Sequence, residues 1–410
     1  MTTGNVSRYA LPEHWIRYDA VAVFNLLVEA KTAAGVLRQM PYLRQWIEQA
    51  HEEQLRLEAA GTSRIEGAEF TQREQEEALA SDIPHAAELT RSQRQLRCAA
   101  ATYRWLQEQP ADHPVNSEFI REIHRRIVTG CDDDHCEPGA LRSDGHNVLF
   151  GLPRCRGAEG GDECQSAFAA FCTAIMGEFR QYDRVIRAIA VHYHLGAMHA
   201  FGDGNGRTAR ALEAFMLRRA GVNDVVMISL SNYYYEYQEE YRAALHQSRQ
   251  RGHDITPFLL FALRAIIDRC NAISEEITDN HRRILFREFA RSLFGQLRSP
   301  RRRVLAERQL QILEVLLDGD SIDLMNFVSQ PQSQYAHLKY PYSAVVRDVV
   351  GLVQLGAISL DSGSTQITLN LDWPQQFSES ELLERYAKMP SVVSTAHPAM
   401  AELRRLLRGR

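Results

Sequence analysis

A twelve-residue run, HAFGDGNGRTAR from His199 to Arg210, gathers residue types that handle phosphates. Gly202, Gly204 and Gly206 permit positive φ and close backbone approach, and a helix starting at Asn205 or Gly206 would offer its first unpaired N–H groups to an anion. Arg207 and Arg210 lie three apart on the first turn, where two guanidinium forks can hold successive phosphates. Asp203 supplies the single carboxylate with which a protein commonly shares Mg2+ with substrate oxygens. His199, at the edge of this cradle, is placed as general base for an incoming hydroxyl, and Phe201 is expected to turn inward and anchor the loop. The plain alternative is a glycine-rich turn between two helices beside a core histidine.

The run resembles the signature of the Fic family, H-P-F-x-[D/E]-G-N-G-R-x-x-R, with Ala200 in place of Pro as the only departure. The preceding AVHYHLGAM is similar to the family's helix, although Gly196 stands where an acidic residue is common. The resemblance implies protein adenylylation: AMP passes from Mg-ATP to a Ser, Thr or Tyr hydroxyl of a target protein or of the chain itself, and pyrophosphate leaves. By position it makes His199 the base and Asp203 the metal ligand. Gly204, Asn205, Gly206 and Thr208 fall in the ATP-binding run, with Arg207 and Arg210 as clamps for the β- and γ-phosphates. The related Doc toxins carry Lys at the position of Gly206 and act as kinases, so Gly206 favours adenylylation.

Far upstream, TSRIEG from Thr62 to Gly67 reads by itself as a helix cap. It resembles the family's inhibitory helix motif, [S/T]-x-x-x-E-[G/N], which implies that Glu66 pairs with Arg210 and removes the γ-phosphate clamp. Relatives with this Glu also remove AMP, the carboxylate orienting water, so deAMPylation stays open as an alternative. VLFG, Val148, Leu149, Phe150 and Gly151, resembles the family's flap beside ATP, on which a target segment docks as an added strand; a purely structural hairpin is the other reading. Leu141-Arg142 fits the lead into that flap. Tyr241 is similar to the family's aromatic beside the adenine, with plain packing as the alternative, and Arg249 stands where relatives often have an amide.

The elements that must position these residues are mostly helical. Leu11 to about Leu106 shows three- and four-residue apolar spacing, interrupted at EAAGTSRIEG, where Gly61 and Thr62 would end one helix and cap the next. Helical spacing returns over 116–128 and 165–198, around a Gly/Pro/Asp-rich stretch at 130–162 holding one strand-like piece, NVLFG. Further helices follow from Gly206 to Arg303. Two short helices, RQLQILEVLL and DLMNFVSQ, then a third, SAVVRDVVGLVQLG, and a hairpin signal, AISLDSGSTQITLN, make a winged-helix order. The expected fold class is mainly α: a Fic-type helical core with a β-hairpin flap, an N-terminal helical inhibitory module and a C-terminal winged helix. The expected parts are a module at 1–110, a catalytic core at 111–275, a linking helix at 276–303, the winged helix at 304–375 and a helical tail at 376–410.

Composition narrows the partners. The 410 residues, 45% hydrophobic and 24% charged with a net charge of −5, read as ordinary globular chain without bulk attraction for polyanions. The longest apolar run, PFLLFALRAII from Pro257, is broken by Arg264 and falls short of the roughly 20 residues of a membrane span, so no membrane is expected. No secretory signal pattern opens the chain, and seven cysteines do not form a disulfide framework, so the cytoplasm is the expected location. CDDDHC and CRGAEGGDEC lack a C-x2-C pair, and Cys131, His135, Cys136, Cys155 and Cys164 read as loop residues rather than a zinc site. Asp132 to Asp134 reads as a solvated loop, and His192 and His194 as packing or surface residues, with His192 near the pocket. From Pro300 to Gln375 six basic residues stand against eight acidic ones, which favours protein contact, a homodimer included, over a DNA-binding regulator. The Arg301–Arg303 cluster keeps the DNA alternative open.

Overall fold

The computed structural model describes residues 8–80, 89–151, 153–297, 300–319, 321–323, 335, 337–360 and 366–388. The chain divides into two compact units, at Met1–Glu275 and Glu276–Arg410.

In the first unit an extended segment precedes α1 (Ala20–Gln39), which Asp19 caps by accepting from Val21 N and Ala22 N. Helix α1 buries Val23, Ala30, Ala33, Ala34 and Leu37 and exposes Val21, Phe24, Val28 and Val36. Among the described residues it is the one helix long and apolar enough to cross a membrane by length and composition. The length of uninterrupted apolar runs did not single this helix out, because Asn25, Glu29 and Lys31 break α1's run without making the helix polar.

Helix α2 (Arg44–Ile65) corrects an expectation. Gly61 and Thr62 do not separate two helices; they lie inside α2, which ends only at Glu66. Gly61 is there because α2 packs onto α9 (Leu230–Glu236) at backbone distance: a Cβ on Gly61 would stand 2.4 Å from Asn232 N and 2.5 Å from Asn232 Cα. Close approach rather than a turn explains the glycine. The same helix carries a polar stripe at four-residue spacing, Gln54, Glu58, Thr62 and Glu66, and the first three are buried.

Helix α3 (Gln72–Leu79) and the longer α4 (Arg91–Glu108) open with Thr capping boxes; α3 packs on α4, and α4 packs on α2 and on α5 (Ser117–Val128). The strand-like NVLFG forms a minimal hairpin, β1 (Leu149–Phe150) against β2 (Cys155–Arg156), with Leu149 opposite Arg156 and Phe150 opposite Cys155. After α6 (Asp162–Met176) and a 3-10 turn (Glu178–Gln181), α7 (Arg184–Met198) and α8 (Asn205–Arg219) pack together, joined by a six-residue loop that makes them antiparallel. The segment expected as continuous helical spacing over 165–198 is thus two helices, broken at Gly177. Helix α10 (Gln238–Gln250) and α11 (Thr256–Gly295) follow.

The second unit holds the C-terminal part of α11, α12 (Pro300–Asp318), β3 (Ser321–Asp323), α13 (Pro341–Leu355), the antiparallel pair β4 (Ile358–Leu360) and β5 (Gln366–Leu369), α14 (Trp373–Gln376) and α15 (Glu379–Lys388). The hairpin expected at AISLDSGSTQITLN is present, and β3 extends it in the order β3-β5-β4. The helix expected at DLMNFVSQ begins on Asp323, which is in β3, and its remainder lies outside the described residues. Trp373 is fully buried against Phe286 and donates from Nε1 to Leu355 O. Asp348, also buried, pairs with Arg308 at 2.7 Å and accepts from Tyr335.

Candidate active site

His199 ends α7 in the left-handed region, with φ 53° and ψ 56°. A side chain with a Cβ pays of the order of 1 kcal/mol to sit there, and the surroundings hold it. Arg142, itself buried, donates from Nε to His199 O at 2.7 Å and from Nη1 to His146 O at 2.7 Å, while Ala200 O accepts from Arg142 N at 3.0 Å. The residue read as a lead into the flap therefore staples the flap base to the loop. His199 Nδ1 lies 3.0 Å from Gly196 O and must carry its proton to bond there, which leaves the lone pair on Nε2. Burial pushes the imidazole down to about 4, against partial support from the Gly196 bond and the Glu66 charge. At neutral pH His199 is uncharged and able to accept a proton.

The loop is braced from both sides. Phe201 is buried, as expected, and stacks on His124 at 3.9 Å between ring centroids. Gly139 N donates to His124 Nδ1, so Nε2–H is left to donate to Asp203 O at 3.0 Å. Burial pushes His124 down to about 4, in keeping with that neutral tautomer. Asn205 closes the loop on itself, accepting from Phe201 N at 2.9 Å and donating to Phe201 O at 2.8 Å. Gly204 takes φ 70° as the N-cap of α8, and its O accepts Thr208 N and Thr208 Oγ1. The Thr208 N bond is the first i to i−4 bond of α8, so the N–H groups of Asn205, Gly206 and Arg207 precede it and have no intrahelical acceptor. Asn205 and Thr208, expected in the ATP-binding run, shape the cradle by bonding its backbone.

A cleft of about 550 Å³ opens beside this loop. His199, Gly206, Arg210, Phe150, Gly151 and Tyr241 line it, and so does Glu66. Glu66 Oε1 stands 2.7 Å from Arg210 Nη2, across 144 residues of sequence. Burial raises the Glu66 carboxyl, but the charge and hydrogen bond of Arg210, with the Arg207 charge adding to them, outweigh this and hold it below the usual carboxylate range. Thr62 holds the same guanidinium, accepting from Nε on Oγ1 at 2.8 Å and from Nη2 on its carbonyl at 3.0 Å. Gly206 makes room for the pair, since a Cβ there would stand 2.0 Å from Glu66 Oε1.

Arg207 points to a partner that the sequence reading placed wrongly. Asp132 is buried, not solvated: it pairs with Arg207 at 2.6 Å and Arg91 at 2.6 Å and accepts from Gln95. Three cationic or amide donors converge on it, which is why a carboxylate in an acidic run is drawn inward. Arg207 is 1% exposed and does not line the cleft. Asp203 is 36% exposed, with Arg207 at 3.4 Å and Arg91 at 3.5 Å. Val148 and Leu149 also stay off the cleft lining.

Three contributions were missed from sequence. Phe150 of the flap stacks on His199 at 3.7 Å and 3°, and the Arg249 guanidinium lies 4.7 Å from the Phe150 centroid, so the three side chains form one column. Tyr241 does more than line the cleft: its oxygen accepts from Arg210 Nη1 at 3.4 Å and lies 2.9 Å from His192 Nε2. His192 is buried, with Nδ1 2.8 Å from Glu213. The polar stripe of α2 completes the frame, with Gln54 bonding Ser229, Glu58 bonding Ser231, and Thr62 and Glu66 bonding Arg210. Its four-residue spacing was the available signal.

Residues 114–217 match the Fic/DOC family. Protein adenylyltransferase fic-1 of Caenorhabditis briggsae is 35% identical over 153 residues, 37% of this chain and 27% of that protein. Protein adenylyltransferase Fic of Nematostella vectensis is 42% identical over 155 residues, 37% of this chain and 32% of that protein. The chain thus spans about a third or less of these curated relatives. A Fic family protein from Desulfovibrio desulfuricans shares the fold with a TM-score of 0.53 at 22% identity, covering 65% of this chain and 78% of that one. Fic-1 from C. elegans does so with a TM-score of 0.53 at 20% identity, over 64% of this chain and 74% of that one. Residues 114–217, which hold His199, the glycine cradle and both arginines, are a Fic/DOC family domain.

Proposed function

We propose that this chain is a protein adenylyltransferase that moves AMP from Mg-ATP to a Ser, Thr or Tyr hydroxyl of a protein, itself included, and that Glu66 holds it off. The observation carrying this reading is a neutral His199, its Nε2 lone pair free, in one cleft with the first turn of α8 and with an Arg210 clamped by Glu66. His199 Nε2 takes the hydroxyl proton as the oxygen bonds the α-phosphorus, and the bond from that phosphorus to the bridging oxygen breaks to release pyrophosphate. The amides of Asn205, Gly206 and Arg207 and the Arg210 guanidinium take up the phosphate charge. Mg2+ enters with ATP as part of the substrate. Asp203 would offer it one partly exposed carboxylate, which would help neutralise the phosphate charge. Arg207, committed to Asp132, serves by fixing the loop. The flap at Val148–Gly151 supports docking of an extended target segment, since Leu149 is half exposed at the end of a two-residue ladder.

We read the second unit as winged-helix-like and as a protein-contact unit, homodimerisation included. The support is its three-stranded sheet and the acidic balance of residues 300–375, which leaves DNA a poorer partner. The test of the main reading is incubation of wild type and His199→Ala with labelled ATP and cell lysate, followed by mass spectrometry for an AMP adduct. Adducts made by wild type and absent with His199→Ala support it; equal labelling by both sinks it.

A further inference from the structure

The antiparallel pair of α7 and α8 has two ends. One is the loop just described. At the other, where α7 begins and α8 finishes, a cavity of about 480 Å³ is lined by Arg180, Arg184, Arg187 and Arg219, with Asp112 and Met216. Twelve residues of helix separate Arg187 from His199, about 18 Å at 1.5 Å per residue, so this cavity is distinct from the cleft.

Four guanidiniums face one carboxylate here, and the arginines bond to carbonyls: Arg184 Nη1 donates to Arg219 O at 3.4 Å and Arg219 Nη1 to His113 O at 3.1 Å. Asp183, the N-cap of α7, is taken by Lys31 at 2.6 Å. Among the described residues none of the four arginines has an ion-pair partner within 4.0 Å, and Arg187 Nε is buried without a hydrogen-bond partner. Burial, with the neighbouring guanidiniums adding to it, holds both Arg187 and Arg219 below the ordinary arginine range. Converging like charges oppose folding unless something neutralises them. Planar guanidinium forks match phosphate oxygens in geometry and charge.

We propose that this four-arginine cavity is a second anion site, which binds the di- or triphosphate group of a small molecule. A nucleotide and free polyphosphate share that chemistry. The test is calorimetric titration of the full chain with sodium tripolyphosphate at near-physiological salt, in an Arg210→Gln background that disables the cleft's clamp. Binding should persist there and weaken at least about tenfold when Arg187→Gln and Arg219→Gln are added, each removing a charge-assisted bond. Arg187→Lys, which keeps the charge, should retain more affinity than Arg187→Gln. Arg180→Gln, at an exposed position, should weaken binding severalfold and decides the matter if the double variant does not fold. In a parallel titration with GTP, affinity equal to tripolyphosphate assigns recognition to the phosphates, and tighter binding adds a contribution from the nucleoside. Tripolyphosphate affinity that is absent in the Arg210→Gln chain, or unmoved by Arg180→Gln, overturns the proposal.

Discussion

Replacing Glu66 with Gly should raise the proposed adenylyltransferase activity, and the structure sets the size of the effect. The pair joins a guanidinium that is 1% exposed to a carboxylate that is 36% exposed, at 2.7 Å. Unit charges about 4 Å apart at an effective dielectric of 20 attract by about 4 kcal/mol. Solvent access on the Glu66 side screens this, and about 1–2 kcal/mol is the reasonable remainder. Arg210 does not swing away once Glu66 is gone, because Thr62 still holds Nε and Nη2 and Tyr241 still accepts from Nη1. The clamp therefore stays aimed and becomes free for the γ-phosphate. At 1.4 kcal/mol per tenfold, labelling with ATP below its KM should rise about 5- to 30-fold. The assay is the initial rate of AMP incorporation from labelled ATP, with His199→Ala in the same background as the silent control. The backbone at position 66 has φ −88°, so Gly brings no release of strain that would confound the result. A Glu66→Gly rate within about twofold of wild type would refute the inhibitory pairing.

Gly61→Ala should destabilise the first unit by about 1–3 kcal/mol, seen as a lower Tm, because its Cβ would meet α9 backbone at 2.4–2.5 Å and the helices must part. Asp132→Asn leaves the buried Arg207 with only the more distant, partly exposed Asp203 carboxylate beside it and should cost about 3–5 kcal/mol in urea unfolding; a loss below about 1 kcal/mol would refute a stabilising Asp132–Arg207 pair. Acid should destabilise the fold through histidines. Burial depresses His124, His199 and His253 to about 4 and His194 to about 3, each below an unfolded value near 6.5. Their stabilising effect is complete above pH 6.5 and is lost as pH falls towards 4, each group contributing up to about 1.4 kcal/mol per pH unit in that window. Urea midpoints measured from pH 7 to 4.5 should fall steeply, and a flat profile would mean that these imidazoles titrate normally.

The local chemistry was legible in twelve consecutive residues. Gly204, Asn205 and Thr208 build the loop and the first turn of α8 with bonds that span no more than four residues, so backbone conformation and side-chain type suffice to specify them. The flap hairpin, whose pairs span at most seven residues, was likewise legible in the strand-like NVLFG. The Glu66–Arg210 pair was reached through resemblance alone, because 144 residues lie between its members and nothing in TSRIEG by itself distinguishes an inhibitory carboxylate from a helix cap. Gly61 was misread for a related reason: a glycine that permits a turn and one that permits two backbones to touch look alike until the second backbone is in place. Asp132 is the clearest case of what only tertiary structure decides. Its neighbours in sequence, Asp133 and Asp134, make it look solvated, yet Arg91, Gln95 and Arg207 arrive from two other helices and repay its desolvation. Short-range bonds follow from the residues that make them, whereas the burial of a charge depends on which distant groups the packing delivers.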